Sequence, residues 1–505
     1  MLALLTVLTV VVACDKGNTD TTDDDNDSGL IDDRYDVNGR LNDDLPDTLN
    51  YEGETISIMT WGSVENPEFE QENVTGDNVR DAIYDRNNQI EDRLNVELKW
   101  TSVPGPYLEL RAGYLGHLDA IYQANTQDYD IIASYAPTAG TFAVQGYYYN
   151  MATIKDSYID LEKPWWPQQL VETVSFGTGG YYFVSGDMST NVLYMMHHMF
   201  INKDLFSKHQ IAIPYQEVYD GKWTMDRLIE ITSDKYKDKD NDNVKSAGDE
   251  YGFGALDYVM DSFYIAANMH WVDEDETDWL VLSPDYTSSK TVKMVNKLGN
   301  WINTDSCWIW NGALENNDAR GGHMNNFKNG NMLVLMQHGQ YAGKSLLNVD
   351  FDYGLLPNPK YDEKQVNYYT GMGNPWTLYS IFVDFDQRGD KAATLTMFTA
   401  VLECYASEGY RLTTPEIFEV NMQLKYAAGQ DETNMYEYVR SGITFDIGKI
   451  FNSELSGIST LPARAICVNA SWSATSGAYK RSITAKLADI VQNFRDYQAI
   501  RDSGN

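Results

Sequence analysis

Apolar and polar positions follow three regimes along this chain. Residues 1–14 read M-L-A-L-L-T-V-L-T-V-V-V-A-C, an apolar run broken only by threonine. Residues 15–50 are dominated by Asp, Asn, Thr and Gly, with almost no apolar content. From residue 55 the pattern becomes periodic. Residues 55–61 (T-I-S-I-M-T-W) alternate and predict a strand. Residues 77–94 place Val79, Ile83, Ile90 and Leu94 on one stripe with charges between them, which predicts an amphipathic helix. Residues 96–100 predict a second strand, 107–124 a second helix and 129–134 a third strand. Strand, helix, strand, helix, strand is the signature of an α/β fold with a parallel sheet, in which ligands collect at the carboxyl ends of strands. Trp61 and Tyr135 follow two of those strands and are candidate ligand contacts, with lobe packing the competing role for Trp61. Near the other end, Ile483, Leu487, Ile490, Val491 and Phe494 form one stripe over residues 482–497, a packing helix.

The first regime is too short to span a bilayer, which takes roughly 20 apolar residues. It suits the core of a secretory signal over residues 1–13. With Cys14 directly after Ala13, it resembles the lipobox of bacterial lipoproteins, which implies a diacylglycerol thioether on Cys14. No Lys or Arg precedes the run, so a start further upstream is expected. The second regime, residues 14–50, cannot bury enough surface to offset its ordering entropy, and its like charges keep it extended. An acidic, disordered tether behind a lipid hook implies a protein held at the outer face of the cell membrane. A diacyl anchor holds stably where a single chain does not.

Net charge changes the picture of partners. The 505 residues carry 38 Lys and Arg against 74 Asp and Glu, a formal charge of −36. Nucleic acid and anionic membrane faces both call for a basic surface, so neither is expected as a partner. After Cys14 only Cys307, Cys404 and Cys467 remain, without C-x-x-C spacing, so stability must come from core burial. The 12 Trp and 35 Tyr suggest an apolar-faced cleft with hydrogen-bonding rims.

Beyond these patterns the chain resembles the extracellular solute-binding proteins of ABC importers, in particular the larger lipoproteins of Gram-positive gut bacteria. The resemblance starts with G-D-N-V-R-D-A-I-Y-D-R-N-N-Q-I-E-D-R-L-N-V (76–96). It continues in the family's order through E-K-P-W-W (162–166), Y-Y-F-V-S-G-D (181–187), I-N-K-D-L-F (201–206) and D-G-K-W-T-M-D-R-L (220–228). L-P-N-P-K-Y-D (356–362), T-P-E-I-F-E (414–419) and F-D-I-G (445–448) complete it. It implies a type II periplasmic-binding-protein-like α/β fold: two lobes joined by crossing strands, with one ligand in the cleft between them. The implied division is lobe 1 at 51–185 and 361–430, lobe 2 at 186–360, and a C-terminal helical part of lobe 2 at 431–505. Residues 181–187 would make the first crossing and 353–361 would lead into the second. The implied function is capture of a sugar or oligosaccharide by a monomer and its delivery to ABC permease subunits. A secreted carbohydrate-active enzyme and a surface polysaccharide-binding adhesin are the alternatives.

Among individual residues, D-K-D-N-D-N-V-K-S-A-G-D (238–249) has the ligand spacing of an EF-hand-type Ca²⁺ loop. Asp238, Asp240, Asp242 and Asp249 fall at positions 1, 3, 5 and 12, and the Val244 carbonyl at position 7. Asn243 replaces the usual glycine at position 6 but tolerates the left-handed turn. A solvated acidic loop is the competing reading. Trp165 and Trp166, adjacent between Pro164 and Pro167, suit a rigid aromatic platform for a sugar face or else a lobe-capping plug. Tyr341 matches a position where sugar binders of the family place a stacking Trp. Trp376 precedes the rejoining strand, and Asp187 could accept hydroxyl hydrogen bonds at the first crossing. His197 and His198 sit in an apolar run and read as core or crossing residues. H-E-x-x-H, G-x-S-x-G and G-x-x-x-x-G-K-[ST] are all absent from the sequence, so no catalytic residue is assigned and the transporter's ATPase must be another chain.

Overall fold

A computed structural model describes residues 34–62, 64–105, 108–177, 179–310, 322–383 and 390–503. The chain forms two units, 1–42 and 43–505. In the first, residues 34–42 make a tight turn in which the Asp36 carboxylate accepts the amides of Asn38 and Arg40, closed by a bridge between Tyr35 and Leu41. The second unit holds two sheets.

Lobe 1 is built on β1 (Glu54–Gly62), β2 (Val96–Pro104), β3 (Ile131–Tyr135) and a later strand, Thr377–Ile381. β1 pairs in parallel with β2 and β3, and the returning strand runs antiparallel to β3. The helix Asn78–Leu94 forms where the apolar stripe predicted it. The Asp77 carboxylate caps it by accepting the amides of Val79 and Arg80, and Asn95 ends it in the left-handed conformation. Val79, Ile83, Ile90 and Leu94 are all buried. Lobe 2 carries β4 (His197–Asn202), β5 (Tyr251–Leu256), the hairpin β6 (Val272–Glu274) and β7 (Leu280–Leu282), β8 (Cys307–Trp310), β9 (Met332–His338) and β10 (Tyr353–Leu356). The Thr377–Ile381 strand is β11. The main sheet of lobe 2 has the order β10-β4-β9-β5-β8. Every residue of β4, β5 and β9 is buried, as in a sheet covered on both faces.

Two segments running antiparallel join the lobes. Val184 bridges Tyr379 at one end and Met196 bridges Met372 at the other. Glycine is required at two points on this joint. A Cβ on Gly186 would lie 2.1 Å from the Trp165 carbonyl oxygen, and one on Gly373 would lie 2.6 Å from His338 Nε2. After β11 the helix Lys391–Glu408 and the π-helical turns Gly409–Thr413 and Glu416–Lys425 pack on Asn78–Leu94. Helix Gln430–Ser441 then lies on β10 of lobe 2.

Three boundaries differ from the sequence reading. Residues 361–372 run along lobe 2, where the Tyr368 hydroxyl donates to the Val218 carbonyl and Thr370 bridges Ile443, so lobe 1 resumes at β11. The tether does not extend to Asn50, because Asp43 and Leu45 are buried. The C-terminal helix Trp472–Ser503 is not confined to lobe 2. At its start the Trp472 indole donates to the Tyr286 carbonyl of lobe 2, at 2.9 Å. Near its end the Tyr497 hydroxyl donates to the Val144 carbonyl of lobe 1, at 2.8 Å. Among the described residues no helix is long and apolar enough to cross a membrane.

Candidate functional site

Between the lobes lies a narrow cleft whose empty space, counting the part open to solvent, is about 350 Å³. Ala136 and Pro137 line it directly after β3, at the carboxyl end of a parallel strand. Met372, Asn374 and Trp376 come from the second crossing segment, Phe445 and Asp446 from the turn after helix Gln430–Ser441, and Lys449 from the short helix Ile447–Ile450 that Asp446 caps. Trp376 and Phe445 form an aromatic wall, ring centroids 5.1 Å apart at 56°. The Lys449 ammonium donates to Asp261 Oδ2 at 2.6 Å and to the Met372 carbonyl. Asp446 accepts the Trp271 amide at 2.9 Å and the Gly448 amide at 2.7 Å, and His270 stands 3.6 Å away. Burial pushes both carboxyls, Asp261 and Asp446, above the ordinary range, against the pull of Lys449 on the one and His270 on the other.

Of the aromatic candidates, Trp376 lines this cleft and Tyr135 stands beside it. Burial raises the Tyr135 phenol, against the pull of the neighbouring Asn374 side chain. Trp61 is wholly buried behind Tyr135, edge-on to it at 5.6 Å, with its indole N–H donated to Thr377 Oγ1 at 2.9 Å. It therefore props the wall and does not face a solute. Tyr341 lies parallel to His338 at 6.2 Å, and His338 stacks on His197 at 4.6 Å. Here the lobes meet across one rim: Gln340 Nε2 donates to Glu65 Oε2 and Lys344 Nζ to the Glu65 carbonyl, both at 2.6 Å.

Trp165, Trp166 and Asp187 do not belong to the cleft. The two indoles are buried together because one carboxylate serves both. Trp165 donates to Glu403 Oε1 and Trp166 to Glu403 Oε2, each at 2.9 Å. This is the plug, not the platform. Burial pushes Glu403 up to about 7 even against those two N–H donors. Asp187 accepts the Thr414 hydroxyl at 2.8 Å, on the π-helical side of the joint. Burial lifts it to about 6.

The sequence reading missed Asn374, Phe445 and Lys449 as cleft residues. Phe445 opens F-D-I-G and Lys449 follows it, while Asn374 sits two residues before Trp376. Resemblance points to both segments, but only the fold shows that they line one cleft.

In the acidic loop, Asp238, Asp240 and Asp242 each offer a carboxylate oxygen within 4.8 Å of the others. Asn241 and Asn243 both take the left-handed conformation. Asp238 accepts the amides of Asn241 and Asn243, and Asp242 that of Val244. A hydrogen bond from the Asp242 amide favours the Asp240 carboxylate. Partial desolvation and the neighbouring Asp242 and Asp238 charges nevertheless carry it above its ordinary value. Asp249 stands outside that trio. It is buried and accepts the Lys239 and Ser246 amides and the Tyr236 hydroxyl, so position 12 holds the loop closed instead of joining the cluster. The Val244 side chain is exposed. Cys14 lies outside the described residues.

No protein-family model matches this chain, and no curated protein matches its sequence. Solved structures do match in fold. An ABC substrate-binding protein from Listeria monocytogenes, in complex with cycloalternan, is 13% identical at a TM-score of 0.53, covering 86% of this chain and 99% of its own. A binding protein from Mycobacterium tuberculosis, in complex with glycerophosphocholine, is 14% identical at 0.54, covering 86% and 98%. The maltose-binding periplasmic protein of Listeria monocytogenes, in complex with maltose, is 13% identical at 0.51, covering 86% and 98%. The chain therefore has the type II fold of solute-binding proteins.

Proposed function

We propose that this chain is the extracellular substrate-binding subunit of an ABC importer, taking a small solute, in all a saccharide, between its lobes and presenting it unaltered to membrane permease subunits. The observation that carries this reading is the cleft itself. It lies between two α/β lobes joined by a pair of crossing segments, with an aromatic wall on one side and paired polar groups on the other. Contacts to both lobes would favour the closed state by the solute's differential affinity for it. Two of the three similar structures described above hold saccharides, which supports a sugar as the solute.

Thermal shift against a panel of mono- and disaccharides tests the reading, run with and without a chelator. A sugar present at about 100 times its dissociation constant should add about 2.7 kcal/mol of apparent stability. The shift should disappear in Trp376→Ala. A panel that leaves the melting temperature unmoved would remove the sugar assignment. Calcium belongs to the same proposal as a structural ion held by Asp238, Asp240 and Asp242, with the Val244 carbonyl as a further oxygen. A chelator is then expected to lower the melting temperature, and indifference to it would dismiss the ion.

Anchoring through Cys14 completes the proposal, on the strength of the apolar run and the acidic spacer behind it. In a Gram-positive host, Cys14→Ala is expected to move the protein from the membrane fraction into the medium. Unchanged membrane retention would argue against the lipid.

A further inference from the structure

We propose that Asn374 is the residue that reads the solute in this cleft, and that the solute it selects is an uncharged polyhydroxyl ring. The inference rests on the binding role proposed above and names the class of ligand for the same site.

Charge comes first. The two charged residues in the lining are already compensated. Lys449 is paired with Asp261, and Asp446 has His270 beside it and two backbone amides bound to it. An ionic solute would have to break a buried pair or enter with its own charge unmatched, and both are costly in a site removed from water. The net charge of −36 adds long-range repulsion of anions. The cleft therefore favours neutral ligands.

Hydrogen bonding narrows the class. The Asn374 side chain stands beside the Tyr135 phenol and pulls its acidity back toward the ordinary value. Asn374 Oδ1 is itself buried with no hydrogen-bond partner among the described residues, in a residue that lines the cleft. A buried carbonyl without a donor is a standing penalty that an incoming O–H relieves. A neutral ligand that supplies donors is a hydroxylated one. Tyr135 is then a positioning residue: it orients Asn374 and leaves the solute to the amide oxygen. Trp61, edge-on behind it, fixes the Tyr135 ring in turn.

Shape sets the remaining limits. Trp376 and Phe445, with Pro137 and Met372, give an apolar wall for the C–H face of a ring.

The test uses the full chain. Wild type is titrated calorimetrically with D-glucose, D-galactose, D-xylose, maltose and cellobiose, and with glycerophosphocholine and glycerol 3-phosphate as charged counterparts. The best-bound saccharide is then supplied as its series of monodeoxy analogues. Asn374→Ala is expected to raise its Kd roughly 10- to 100-fold. One deoxy analogue should lose about the same factor against wild type and be bound equally by wild type and Asn374→Ala. Tyr135→Phe should weaken binding severalfold with the same insensitivity to that analogue, a signature that a packing defect would not produce. Asn374→Ser, which keeps a small polar group, guards against misfolding, with its ligand-free melting temperature as the check.

Equal affinity in wild type and Asn374→Ala, or a loss shared by every analogue, would overturn the assignment of Asn374. A preference of wild type for either phosphate compound would overturn the neutral class. Wild type that binds none of the saccharides would overturn the sugar reading of the cleft, and this inference with it.

Discussion

Replacing Asp43 by alanine is expected to destabilise this protein by about 3–5 kcal/mol, the range for removing one partner from a buried ion pair. The Asp43 side chain is fully buried, and Arg93 grips it with two hydrogen bonds of 2.6 and 2.7 Å. Arg411 adds a third at 3.2 Å, and the Ser407 hydroxyl donates to the same carboxylate. Burial alone would raise this carboxyl, but Arg93 and Ser407 by hydrogen bonding, and Arg93 and Arg411 by charge, hold it below the usual range. Without Asp43, two guanidinium groups would share Glu408 alone. A surface pair such as Lys297 with Asp226, both substantially exposed, is worth at most about 1 kcal/mol by contrast. Urea unfolding of the two proteins with equal m-values measures the difference. A loss under about 1 kcal/mol would show that the network relaxes around the gap.

Acidification from about pH 6.5 to pH 4 is expected to strip away part of the stability, and the histidines decide the sign. His198 is pushed down to about 3 and His323 and His338 to about 4, in each case chiefly by burial. His197, stacked on His338, is also lowered well below its ordinary value by burial and by neighbouring positive charge. Their folded pKa values lie below the unfolded value of about 6.5. As pH falls the unfolded chain therefore takes up protons that the folded one refuses, and stability is lost. At about 1.4 kcal/mol per unit, His198, His323 and His338 each contribute about 3 kcal/mol of loss over that range. Glu403 at about 7 and Asp187 at about 6 act in the opposite sense. Their folded values exceed the unfolded ones, so they add stability as pH falls through 7 and 6. Each is worth about 3 kcal/mol on the same scale. Glu68, Asp261, Asp446 and Glu454, raised by burial, oppose the loss as well, whereas Asp43, Glu250 and Glu432, held low by their partners, add to it. With the four histidines on that side, the expected net change is a loss of a few kcal/mol out of the usual range of about 5–15 kcal/mol. Urea midpoints measured between pH 7 and 4.5 should fall steadily, and His323→Gln should flatten the decline. A midpoint that rises toward acid would mean that the carboxyls dominate.

These two sites also show what could be read from the sequence. Local pattern was sufficient wherever the deciding contacts are local. The helix Asn78–Leu94 with its Asp77 cap, the order of the first three strands and the buried stripe of the last helix all follow from periodicity and capping chemistry. Trp376, given by resemblance, lines the cleft, and Tyr135, at the end of a predicted strand, stands beside it. Pattern failed where a partner lies hundreds of residues away. Two adjacent tryptophans suited a platform or a plug equally well until Glu403 supplied an acceptor for each indole. Asp187 looked like a ligand group until Thr414 reached it, and Asp43 looked like tether until Arg93 and Arg411 closed on it. In the acidic loop, spacing correctly grouped Asp238, Asp240 and Asp242 but could not show that Asp249 turns instead toward Tyr236.

The helix Trp472–Ser503 has 32 residues and so reaches about 48 Å. Because it is pinned to Tyr286 at one end and Val144 at the other, it works as a spine between two covers. Swinging the lobes apart beside the helix would tear one of these fastenings. Glu65 with Gln340 and Lys344 fastens the lobes at a further point.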